Sequence, residues 1–151
     1  MGRWTERGGS RSYGKNALAV KFEMEGFEDL LDDLKRMGAD VDNACRKAID
    51  SALPIAYDAM RKKAASHKRT GTVYNAIETV KAQGQGVIYG AAGIDLDKNP
   101  DAFHAVFEEY GDGHSPGFPD HFISNSVKGA NKQRILQKMR ETLIKEGFPI
   151  E

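Results

Sequence analysis

The sequence has a single cysteine, Cys45. One thiol cannot build an internal disulfide framework, and such sparing use fits a reducing compartment. No apolar run reaches about eighteen residues, so no segment reads as a membrane-spanning helix. The opening residues, MGRWTERGGSRSYGK, lack the apolar stretch of a secretory signal. Net charge is missing as well: 22 Lys and Arg stand against 22 Asp and Glu. No global field therefore draws the chain to nucleic acid or to an anionic membrane. Motifs of common chemistries are missing too: G-x-S-x-G, H-E-x-x-H, paired cysteines and the D-x-D-x-D-G calcium loop.

What is present describes one α+β domain. The 151 residues, 40% apolar and 29% charged, can bury a core without metals or cross-links. Residues 1–16 read as a flexible arm, rich in Gly and Ser, that carries Trp4 and Tyr13 among Arg3, Arg7, Arg11 and Lys15. Residues 17–147 form the domain and 148–151 a short tail. Leu18, Val20, Phe22 and Met24 alternate with Ala19, Lys21 and Glu23, the pattern of a half-buried strand. Phe27, Leu30, Leu31, Leu34 and Met37 recur at helical spacing and predict a first helix closed by Gly38. Asp40 suits the N-cap of a longer second helix over 41–66. Its stripe is Val41, Ala44, Cys45, Ala48, Ile49, Ala52, Ile55, Ala56, Ala59 and Met60, with a kink expected at Pro54. Cys45 on that stripe reads as a buried thiol. TVYNAI predicts one helical turn, and ETVKAQ and GVIYGAAGI two strands of a hairpin across Gly84-Gln85-Gly86. Phe103, Val106, Phe107 and Tyr110 space as a short helix, although Phe103, Ala105 and Phe107 would also suit a strand. Pro119 suits the first turn of a long C-terminal helix carrying Phe122, Ile123, Val127, Ala130, Ile135, Met139 and Leu143.

Charge is neutral in sum but separated along the chain. Seven acids against one lysine fill residues 95–120, while six bases against three acids fill 121–151. The stretch HAVFEEYGDGHSPGFPDHF, residues 104–122, holds two adjacent acids and three of the four histidines. A metal-dependent nuclease or hydrolase could be built on His104, Glu108, His114 and His121, but their spacing matches no ligand signature. Glu108 and Glu109 are neighbours and point in different directions, which excludes an acid/base dyad between them. A nucleic-acid adaptor using the arm with Lys62, Lys63, Lys68 and Arg69 is a further alternative; the neutral total charge counts against it, since duplex binders carry a basic excess. The loop's glycines and prolines instead fix a path across a surface, which suits a contact.

Several stretches occur in an order that resembles a known family: KRTGTVYNAIETV, the hairpin QGQGVIYG, AVFEEYGDG, and FPDHFISNSV before a long last helix. This resembles the small head–tail joining or tail-completion (neck) proteins of lambda-like long-tailed bacteriophages. The resemblance covers about residues 20–145 and rests on Thr70-Gly71, Val73, Ile77, Glu108 or Glu109 with Tyr110-Gly111, and Pro119 with Phe122. It implies a non-enzymatic virion component without cofactor or metal, assembled in the bacterial host cytoplasm. Its partners would be copies of itself in a ring, the neighbouring neck, connector or tail-terminator rings, and DNA passing through without sequence-specific contact. The expected partner-binding residues are Arg3, Trp4, Arg7, Arg11, Tyr13, Arg69, Glu108, Glu109, Tyr110, Phe118 and Phe122.

Overall fold

The computed structural model describes residues 3–6, 17–24, 41–66, 71–85, 87–114 and 117–148. A four-stranded antiparallel sheet has the order β1-β2-β4-β3, formed by β1 (Arg3–Glu6), β2 (Ala17–Met24), β3 (Glu78–Gln83) and β4 (Ile88–Asp95). Helix α1 (Val41–Ser66) packs against β2, β3 and β4, and also against α4 (Ala130–Lys145). Two short helices, α2 (Thr72–Ala76) and α3 (His104–Tyr110), and two 3₁₀ turns at Pro100–Ala102 and Ser124–Val127 complete the described elements. This is the expected α+β arrangement.

The alternation in β2 sends Leu18, Val20, Phe22 and Met24 into the main core with α1. The other face is also closed: Ala17, Ala19 and Ala91 are buried in a second small cluster with Val80. The strand is therefore buried on both faces rather than half-buried, with Lys21 its one partly exposed position. On α1 the buried positions are Val41, Ala44, Cys45, Ala48, Ile49, Ala52, Leu53, Ala56, Met60 and Ala64. Ile55 and Ala59 from the expected stripe are only half-buried, and Leu53 takes the inward place. The helix continues through Pro54, whose ring lies on the exposed side. The buried Cys45 thiol is pushed up to about 11, first by desolvation and then by Asp42, so it stays protonated and unreactive near neutrality.

Alanines and a glycine set the distance between α1 and the sheet. A Cβ at Gly90 would lie 2.8 Å from Ile49 Cγ2 and 3.1 Å from Leu53 Cδ1. Two polar contacts fix the same interface: Asp50 Oδ1 accepts the Ala82 N–H at 2.8 Å, and Arg46 donates to the Gly84 carbonyl at 2.9 Å. Ala82 lies where the β3–β4 register shifts between Val80 and Gln83. Its amide finds in Asp50 an acceptor outside the ladder, as a buried donor must.

Two further expectations change. Arg3–Glu6 form an edge strand inside the expected arm, with Trp4 opposite Phe22 and Arg3 opposite Glu23. Edge pairing uses backbone groups, so an apolar-poor composition does not prevent it. The last helix starts at Ala130 rather than Pro119. Residues 119–123 are not helical, and Gly129 (φ 60°, ψ −133°) separates the 3₁₀ turn from α4 in a conformation other residues avoid. The short helix expected at 104–110 forms, with Phe103 and Tyr110 exposed. The helix expected over residues 27–37 lies outside the described residues.

Gly90→Ala should destabilise the chain by about 1–3 kcal/mol, because the added methyl meets α1 in a closed interface. Urea unfolding should show a lower midpoint with an unchanged slope. An unchanged midpoint would mean that α1 is free to move away from the sheet.

Candidate functional site

Helix α3 is preceded by the turn Pro100–Ala102 and ends where the Gly111 N–H donates to the Phe107 carbonyl at 2.7 Å. Its polarity is inverted. Ala105, Glu108 and Glu109 are buried, while Phe103 is 56% and Tyr110 45% exposed. Both glutamates are only 3% exposed, which requires internal partners or a lost charge.

Glu109 solves this with hydrogen bonds. Its Oε1 accepts the Ser124 N–H at 2.9 Å and the Ser124 hydroxyl at 3.2 Å. Ser124 opens the 3₁₀ turn Ser124–Val127, so the carboxylate from one helix caps the start of another turn fifteen residues on. The backbone of Glu108 makes a second tie. Its carbonyl accepts the Asp120 N–H at 2.9 Å and the His121 N–H at 3.4 Å. Asp120 Oδ1 then accepts the Phe122 N–H at 3.1 Å, and its carbonyl accepts the Asn125 amide at 3.1 Å. Phe122, 2% exposed, anchors the far end in the core. The loop between α3 and the 3₁₀ turn is thus closed at its base, the arrangement of an Ω-loop.

The Glu108 side chain solves burial the other way. Its Oε2 is buried without a hydrogen-bond partner. Desolvation first, then the neighbouring charges of Asp120 and Glu109, push its pKa up to about 8, with Lys63 pulling weakly down. Near pH 7 the group is therefore mostly neutral. A carboxyl held neutral is the kind of group that serves as a general acid. Here its burial leaves a substrate little to touch, and its surroundings are a structural joint.

The sequence-predicted residues separate. Glu108, Glu109 and Phe122 are turned into the chain's own core, Glu109 on Ser124 and Phe122 among apolar side chains. Tyr110 is exposed and Phe118 half-buried. Arg3 and Trp4 lie in β1. Arg7, Arg11, Tyr13 and Arg69 lie outside the described residues, as do Lys68 and Thr70. His104, His114 and His121 are all exposed while Glu108 is buried, so the structure does not bring these four together. Among the described residues no three of His, Cys, Asp and Glu form a group that could hold a metal ion. Lys62 and Lys63 are exposed at the end of α1.

Two features escaped the sequence reading. Ser124 carries no local signal for its bond to Glu109. Arg61, by contrast, follows Tyr57 by one helical turn, a spacing that could have been read. Its guanidinium lies 3.9 Å from the Tyr74 ring centroid and 5.2 Å from that of Tyr57, clasping α2 to α1 through cation–π contacts.

Glu109→Ala should cost about 1–3 kcal/mol, because two buried donors of Ser124 lose their acceptor. Glu108 gives a pH signature. The fold keeps its proton up to about pH 8, whereas the unfolded group loses it near its ordinary 4.5. Between those values the folded chain binds more protons, so this group's contribution to stability declines as pH rises. Glu108→Gln should melt at the same temperature as the parent near pH 4.5 and higher at pH 8, by on the order of 5 °C. Parallel melting curves for the two proteins across that range would exclude a proton held by Glu108.

Compared with known protein families, with curated proteins and with solved structures, the chain finds no match.

Proposed function

We propose that the chain is a structural component of a long-tailed bacteriophage neck. Copies form a ring at the head–tail junction that joins or completes the tail and lets DNA pass, with neighbouring connector or tail rings as further partners. The reading makes it a virion protein assembled in the host cytoplasm, not an enzyme, and without a cofactor.

One observation carries the reading. Two of the stretches on which the resemblance rests, Glu108 to Gly111 and Pro119 to Phe122, meet in one joint built on Glu109 and Ser124 and on the Glu108 carbonyl. In that joint the Glu109 carboxylate, Ser124 and the Glu108 carbonyl hold a surface loop at its base. A loop tied at its base suits a repeated subunit contact. The separation of acidic and basic segments supports the same reading, because opposite surfaces on one chain favour head-to-tail repetition.

The test is genetic. A phage whose copy of this gene carries an early stop codon should yield filled heads and free tails that stay unjoined. The full-length chain supplied in trans should restore joined particles, and an epitope tag on it should map to the neck by electron microscopy. Normal particles from the stop mutant would overturn the proposal.

A further inference from the structure

Among the described residues four large apolar side chains are conspicuously exposed: Val87 at 42%, Phe103 at 56%, Tyr110 at 45% and Ile144 at 46%. Three of them lie on two helix faces of opposite character. On α3, Phe103 stacks edge-on against Phe107 at 5.5 Å, and Tyr110 continues the row one turn further. Exposed Asp97 and Asp101 precede this row, and half-exposed Asp112 follows it. On α4, burial of Ile135, Met139 and Leu143 turns the opposite side to solvent. That side presents Ile144 with Arg140 one turn before it, and Arg134, Lys138 and Lys145 are exposed along the same helix. Glu141 is the acid among them, and its carboxylate takes the Gln137 amide at 3.1 Å. No ion pair inside the fold engages those four bases among the described residues.

We infer that the outer face of α3 in one copy docks on the outer face of α4 in the next. The inference deepens the ring reading above, from which it takes only the expectation that the chain associates with itself. Both members of the complementary pair lie on one chain, so a second copy is the occupant that the charges specify. Aromatic rings meet arginine and lysine stems, which cover apolar surface and interact with ring faces. Ile144 adds an apolar centre, and the aspartates supply the opposite sign at the rim. The two faces differ, so the contact is heterologous and leaves each copy with one donor face and one acceptor face free to continue.

The full-length chain, purified alone, tests this by sedimentation velocity and native mass spectrometry up to about 100 µM, a range that detects weak self-association. Oligomers are expected at low salt and should dissociate as salt rises, because the charges are exposed before docking. Phe103→Glu and Ile144→Glu should each weaken association about tenfold or more. Both side chains are largely exposed, so circular dichroism and melting should stay at parental values. Lys138→Glu, a purely surface change, should act in the same direction. An equimolar mixture of Phe103→Glu and Ile144→Glu chains should form one-to-one dimers and nothing larger, since only one intact α3–α4 contact remains per pair. A parent chain that stays monomeric, variants that associate like the parent, or a mixture that stays monomeric would each overturn the inference. Because the readout uses no virion, association through these faces stands or falls separately from the neck assignment.

Discussion

The constraint on which the larger elements depend is the spacing between α1 and the sheet. Ala48, Ala52 and Ala56 are fully buried along α1, and Gly90 removes the one side chain that would stand opposite Ile49 and Leu53. Small residues let the two backbones approach, and dense packing then makes the interface intolerant of added volume. Everything else is referenced to this seam. The register irregularity in β3 is satisfied from α1 through Asp50, the hairpin turn is held through Arg46, and α4 lies on α1 beside Lys47, which pairs with Glu146 at 3.1 Å.

The second constraint is electrostatic. Two adjacent carboxyl groups are buried on one short helix and are accommodated by different means. Glu109 keeps hydrogen-bond donors at Ser124, and Glu108 gives up its charge. Placing two like charges side by side in a desolvated joint would be far more costly than either solution alone. The result fixes α3 with its aromatic residues outward, and so decides which side of that helix the solvent meets.

How much of this could be read from the residues depends on how local each cause was. The alternation at 18, 20, 22 and 24, the alanine stripe of α1 and the hairpin around Gly84 are local signals, and they are where the fold was legible. The amphipathicity of α3 was legible as a period but not as a direction. Phe103, Phe107 and Tyr110 mark one face correctly, yet the acids take the inner side because Ser124 waits fifteen residues away. The start of α4 was misplaced for a related reason: Pro119 and Asp120 have the composition of a helix start, but the Asp120 amide and carboxylate are used in the loop. Strand β1 depends on the backbone of β2, which no composition reports. The stretch that forms the joint was thus marked in the sequence, while the bond between Glu109 and Ser124 was not.

The register shift in β3 has a consequence for how this chain can meet its neighbours. β3 is a border of the sheet, and a regular border strand is a template on which a foreign strand can add. Between Val80 and Gln83 that template is interrupted, and the Ala82 amide is committed to Asp50. A strand arriving from outside would find the spacing of donors and acceptors broken midway along six residues. Growth of the sheet from one molecule into the next is discouraged at this border. The same irregularity that helps seat α1 therefore interrupts strand addition at this border.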